Sequence, residues 1–158
     1  MEDTKNTKPY LYGAYGSNMN LEQMVYRCPD ANPVGRYTLN DYQLIFRGVA
    51  DIQRKKGACV ELGLWEITDA CERSLDIYEG FPHFYTKVYE YNEELGRDIM
   101  LYTMTDRDYV QPPSESYLNS IINGYRDFGI DPMLLAEPIQ NAYIDETPYT
   151  KPPKPKKI

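Results

Sequence analysis

Apolar and aromatic positions crowd together at Tyr10-Leu11-Tyr12-Gly13-Ala14-Tyr15, and the run breaks off at Gly16-Ser17-Asn18. Tyrosine favours a pleated strand, whereas Gly and Asn accept backbone conformations that other residues resist, so the pattern predicts a strand that turns at Gly16. Asn20 then stands before the run 21–26 and is placed to cap a short helix. A turn cluster at 28–33 leads into two strand-like pieces, 34–39 and 42–46, which form either one bent strand or a hairpin. Residues 48–57 hold Arg54, Lys55 and Lys56 and read as a mobile loop. Residues 58–67 alternate as a long strand, with Trp65 as its anchor in the core.

The second half carries clearer punctuation. Thr68 is placed to cap a helix with Asp69 in its first turn, Cys71, Ser74, Leu75 and Tyr78 on one face, and Gly80 at its end. Residues 84–91 and 97–104 read as strands joined by a hairpin turn at 92–96, and 105–113 as a polar connection. Ser114 opens a helix through Phe128, with Tyr117, Ile121, Tyr125 and Phe128 along one stripe and Gly129 just beyond. A further short helix begins at Asp131-Pro132. The expected organisation is a disordered segment 1–8, one domain over 9–147, and a Pro/Lys-rich tail 148–158.

Composition narrows what such a domain does. In 158 residues, 42% hydrophobic content is enough for a single core, and 16 Tyr against 4 Phe and 1 Trp calls for rings that pack while their hydroxyls stay hydrogen-bonded. A net charge of -7, with four of the lysines in the last eight residues, argues against nucleic acid as a partner. No apolar run approaches membrane-spanning length, so no membrane partner is expected. Three cysteines, Cys28, Cys59 and Cys71, show neither a disulfide framework nor zinc-ligand spacing, and a cytoplasmic setting is expected. No metal or cofactor is called for.

Two places could carry chemistry. The N–H groups of Gly16, Ser17 and Asn18, joined by those of the helix that Asn20 caps, would converge on a concavity suited to a carboxylate or an oxyanion; an ordinary strand-to-helix turn is the alternative. Glu79 lies at a helix C-terminus beside Tyr78, Phe81, Phe84 and Tyr85. A dipole and rings that disfavour a bare charge are the setting of a proton-carrying carboxylate, although a surface Glu at a helix end reads the same way. His83, the single histidine, sits between Pro82 and Phe84 and reads as a loop or packing residue.

Three stretches together resemble the gamma-glutamylcyclotransferase family in order and approximate spacing. They are Ala14-Tyr15-Gly16-Ser17-Asn18-Met19, then residues 75–85 around Tyr78-Glu79-Gly80-Phe81-Pro82, and residues 113–124 with Pro113-Ser114-Glu115-Ser116-Tyr117 at their start. The likeness runs roughly from Tyr10 to Tyr143. It implies an α+β fold, a small mixed twisted β-barrel with flanking helices, and release of 5-oxoproline and a free amine from a small-molecule gamma-glutamyl substrate. It further implies Glu79 as general acid/base, the backbone of Gly16, Ser17 and Asn18 holding the glutamyl moiety, and Tyr12, Tyr15, Tyr85, Tyr102 and Tyr117 lining the pocket. The tight spacing after Glu79 looks more like members acting on gamma-glutamyl amines than like those acting on free gamma-glutamyl amino acids. Met19 stands where a Leu is usual, and 48–57 has no counterpart; its basic residues either favour an acidic leaving portion or are simply solvated. A binding module without turnover on the same fold, and a cyclotransferase acting on a carrier-bound gamma-glutamyl group, are the competing readings.

Overall fold

The computed structural model describes residues 7–147; the expected N-terminal segment up to residue 6 and the Pro/Lys-rich tail 148–158 lie outside the described residues. In chain order the elements are β1 (Thr7–Ala14), α1 (Leu21–Arg27), β2 (Asn32–Arg47), β3 (Val49–Thr68), α2 (Asp69–Glu79), β4 (Tyr85–Asn92), β5 (Arg97–Met104), α3 (Glu115–Asp127) and α4 (Ala136–Ile144). Short 3-10 turns cover Ser17–Met19 and Pro132–Leu135.

The five strands form one mixed sheet in the order β2-β3-β1-β5-β4. β1 runs antiparallel to β3 and parallel to β5, which makes the aromatic run the middle of the sheet. A strand covered on both faces should be apolar throughout, and Leu11, Tyr12 and Ala14 are all buried. At Gly13 a Cβ would stand 2.8 Å from Ile99 Cγ2 and 2.9 Å from Leu101 Cδ2, so only a hydrogen fits there. β1 begins at Thr7, opposite Thr68, two residues ahead of the expected domain boundary.

The mobile loop expected at 48–57 is instead sheet. The two strand-like pieces form one bent strand, β2, which turns at Gly48 (φ 79°) and returns as β3 with Leu44 opposite Ile52 and Phe46 opposite Ala50. Ala50, Asp51 and Ile52 are buried. The bend falls where Asn40 pairs with Cys59 and Tyr42 with Arg54, so that Asp41 alone faces the segment 55–58. Asp41 takes φ 67° and its carboxylate accepts the Gly57 N–H at 3.0 Å. Only this bulge has the loop character read from the lysines.

The barrel implied by resemblance appears as a curled sheet without ladder closure among the described residues, since β2 and β4 are its outer strands. Side chains span the gap: Tyr42 donates to Glu90, and Arg54 pairs with the same carboxylate. Trp65 is buried, edge-on to Phe128 with ring centroids 5.7 Å apart.

The helix boundaries follow their local signals. Asn20, Thr68 and Ser114 accept the N–H groups of Gln23, Cys71 and Tyr117 at 3.0–3.2 Å, and Gly80 (φ 67°) and Gly129 (φ 71°) close α2 and α3 in the left-handed region. The helix expected from Asp131 starts as the 3-10 turn and runs on into α4. One face differs from expectation: α2 buries Cys71, Glu72, Leu75 and Glu79, while Ser74 is exposed. Glu72 takes the inward position because Lys87, at 2.5 Å, and the Tyr10 hydroxyl, at 2.6 Å, satisfy its charge.

Candidate active site

Six elements end around one recess. Tyr12 comes from β1, and Tyr15, Gly16, Ser17 and Asn18 from the turn after it. Ala50 comes from the start of β3, Glu79 from the last residue of α2, Tyr85 and Tyr102 from β4 and β5, and Tyr117 from the first turn of α3. Every residue expected at the site on resemblance therefore lines one recess; Ala50 joins them. The recess has a volume of about 20 Å³, room for little more than a water.

Space is tight at Gly16: a Cβ there would meet the Tyr117 hydroxyl at 3.1 Å and Ala50 Cβ at 3.3 Å. The 3-10 turn that follows leaves the N–H groups of Ser17 and Asn18 without partners inside the turn. The donors expected from α1 do not join them, because Leu21 N–H binds Asp127 at 3.0 Å and Gln23 N–H binds Asn20.

Asn18 is the hub. Its Nδ2 donates to the Tyr12 hydroxyl at 2.9 Å and to Glu79 Oε2 at 3.3 Å, while its Oδ1 accepts from the Arg27 guanidinium. Glu79 is 7% exposed. Of the rings expected beside it, Tyr85 lines the recess, whereas Phe81 lies under the Lys87 ammonium, 4.1 Å from the ring centroid. The aromatic lining comes instead from Tyr12, Tyr15, Tyr102 and Tyr117, delivered by other elements.

The ring hydroxyls are tethered. Tyr15 donates to the Tyr102 carbonyl at 2.5 Å, Tyr85 to the Ala50 carbonyl at 2.6 Å and Tyr102 to Asp76 at 2.6 Å, and Tyr117 accepts the Ala50 N–H at 3.0 Å. Burial pushes the phenols of Tyr12, Tyr15, Tyr85, Tyr102 and Tyr117 far above their usual range, helped for each of them by the negative charge of Glu79. They stay protonated at neutral pH, and Glu79 is the one carboxylate among the described side chains that line the recess.

Sequence reasoning missed three supports. Ala50 holds both Tyr85 and Tyr117 through its backbone, Asp76 draws the Tyr102 hydroxyl outward, and Arg27 stacks 3.8 Å from the Tyr78 ring centroid while holding Asn18. Asp51 anchors the strand that carries Ala50. Fully buried, it accepts from Ile52 N–H at 2.8 Å, Met104 N–H at 2.9 Å and Arg47 Nε at 2.9 Å. The basic residues 54–56 take no part in the recess: Arg54 pairs with Glu90, and Lys55 and Lys56 border a separate cleft facing α4. Among the described residues no group of three or more His, Cys, Asp and Glu is placed to hold a metal ion. Burial pushes the Cys28 thiol up to about 12 and its Sγ faces the Cys71 carbonyl, so it is no thiolate nucleophile.

This fold, with a glycine turn and a buried carboxylate sharing one recess, places the chain in a known class. The family model "Gamma-glutamyl cyclotransferase, AIG2-like" matches residues 12–119, and the chain belongs to that family. Among solved structures, one titled gamma-glutamyl cyclotransferase is 27% identical with a TM-score of 0.66, over 90% of this chain and 92% of its own. An uncharacterized protein from Homo sapiens matches at 27% identity and TM-score 0.65 over the same shares. YkqA from Bacillus subtilis shares the fold at 22% identity and TM-score 0.69, over 86% of this chain and 55% of the longer one. Comparison with curated proteins gives no match.

Proposed function

We propose that the protein is a gamma-glutamyl cyclotransferase that releases 5-oxoproline and a free amine, with Glu79 as the general acid/base. The observation that carries this reading is the Glu79 carboxylate, buried in the recess of the 16–18 turn and held by the Asn18 amide among tyrosines that stay protonated.

The reaction needs no nucleophile from the protein. The substrate's own α-amine attacks its γ-carbonyl carbon, forming a C–N bond and a tetrahedral oxyanion, and collapse of that intermediate breaks the C–N bond to the leaving amine. Glu79 takes the proton from the attacking amine and delivers it to the departing one, a role worth about a hundred- to ten-thousandfold. The N–H groups of Ser17 and Asn18 meet the glutamyl oxygens, where a donor aimed at an oxyanion contributes about 3 kcal/mol. The tyrosine walls hold the chain curled for ring closure, so that orientation is supplied before the chemical step. A gamma-glutamyl group exceeds 20 Å³, so binding parts the walls.

The leaving group is read as an amine lacking a charged carboxylate, because the basic residues 54–56 lie away from the recess. The test is 5-oxoproline release from matched gamma-glutamyl dipeptides and gamma-glutamyl amines. Turnover with a preference for the amines is expected. No release from any substrate would overturn the cyclotransferase reading, and release only from a carrier-bound gamma-glutamyl group would replace the small-molecule substrate.

A further inference from the structure

We propose that Arg27 is a positioning residue that fixes the direction of the Asn18 amide, so that its nitrogen rather than its oxygen faces Glu79. The inference rests on the reading of Glu79 given above.

A primary amide has two ends of similar shape and opposite polarity, and rotation by 180° exchanges them. At Asn18 the difference matters. Nδ2 reaches both the Tyr12 hydroxyl at 2.9 Å and Glu79 Oε2 at 3.3 Å; the reversed amide would set Oδ1 against a carboxylate, two acceptors with no proton between them. The Tyr12 hydroxyl cannot choose between the two directions, since a phenol both donates and accepts. Glu79 favours the observed direction only while it is ionised, and it loses that preference at the point in the reaction when it carries the proton.

Arg27 supplies a preference that does not change during turnover. Its guanidinium only donates and remains charged, so the atom it binds must be Oδ1. The guanidinium is itself held in place. It extends from the last residue of α1, is half-buried, and lies over the Tyr78 ring with 3.8 Å between the guanidinium carbon and the centroid. Tyr78 belongs to α2 and immediately precedes Glu79, so one cation ties the helix after the glycine turn to the helix that ends in the carboxylate. Arg27 does not itself line the recess, and its effect on chemistry passes through Asn18.

The experiment compares the parent with Arg27→Met, which keeps the stem and cannot donate, and Arg27→Lys, which can. Steady-state 5-oxoproline release is measured beside NMR of the Asn18 side-chain amide and the melting temperature. The parent should show NOEs from the Asn18 Hδ2 protons to the Tyr12 ring. Arg27→Met should weaken them and lower kcat about ten- to hundredfold with KM within about twofold, and Arg27→Lys should recover most of the loss. An unchanged kcat in Arg27→Met, or Hδ2 NOEs to Tyr12 that persist in it at full strength, would overturn the inference while leaving the proposed reaction standing. If the parent releases no 5-oxoproline, the proposed reaction fails and the amide NOEs alone decide the role of Arg27. If Arg27→Met does not fold, the parent spectrum decides: Hδ2 NOEs to Arg27 in place of Tyr12 would overturn the assignment.

Discussion

Removal of the Asp51 carboxylate should be among the most damaging single changes in the molecule. The side chain is fully buried and accepts three bonds, from Arg47 Nε and from the N–H groups of Ile52 and Met104, with Arg107 Nε a further 3.6 Å away. Asp51→Ala removes the only carboxylate among the described residues bonded to a guanidinium that is itself 4% exposed and leaves it neutral acceptors alone; breaking a buried pair from one side costs about 3–5 kcal/mol. Two backbone donors lose their acceptor in the same step, adding about 1 kcal/mol each at the low end. A total of about 5–7 kcal/mol rivals the whole stability of a typical domain. For a chain of this size it corresponds to a melting temperature lower by about 10–28 °C. Arg47→Met should cost less, because Asp51 keeps both N–H donors and the orphaned partners are the Arg107 and Tyr109 carbonyls and Gln53. Urea and thermal unfolding followed by Trp65 fluorescence measure both. An Asp51→Ala protein melting within about 3 °C of the parent would refute the packing described for the start of β3, and with it the scaffold that holds Tyr85 and Tyr117.

The other expectations concern the site walls and the charges behind them. Gly16→Ala should be tolerated with a small shift of Tyr117, whereas Gly16→Val should drive that ring off the Ala50 N–H, costing about 1–3 kcal/mol and abolishing substrate binding by equilibrium dialysis. Tyr102→Phe removes a hydroxyl that points at Asp76 rather than into the recess; about 1 kcal/mol of stability should go while kcat stays within severalfold. Burial works to raise the Glu72 carboxyl, but hydrogen bonds from Lys87 and Tyr10 hold it below the usual range. Its contribution to stability is therefore whole above about pH 4.5 and fades as the pH falls further. Burial likewise works to lower Lys87, and Glu72 and Asp76 raise it, so its contribution is whole below pH 10.5 and is lost above it. Lys87→Met should accordingly lower the urea midpoint strongly at pH 7 and much less at pH 3; equal losses at both pH values would contradict the network.

What could be read from the sequence was local. Caps at Asn20, Thr68 and Ser114 and stops at Gly80 and Gly129 announce themselves within four residues of the helix they bound, and each appears where expected. The loop expected at 48–57 fails because the segment's polar content has two different causes. Asp51 is buried with partners from β2 and β5, which no local pattern reveals, while Lys55 and Lys56 do belong to an exposed bulge. The inward turn of Glu72 has the same origin, since Lys87 and Tyr10 lie on other strands. At the site, resemblance was enough to name the lining residues, but the supports were hidden. Ala50 acts only through its backbone, and Arg27 looks like an ordinary basic residue in the last turn of a helix.

The most direct test of the central claim is the rate of 5-oxoproline release by Glu79→Gln beside the parent, on the best gamma-glutamyl substrate, with binding measured in the same preparations. The Gln side chain keeps the shape and can still bind the Asn18 amide but cannot carry the proton. A kcat lower by about a hundred- to ten-thousandfold, with substrate affinity and melting temperature retained, is the predicted result. A variant that turns over at the parent's rate would contradict the account, and the proton would have to travel by another route.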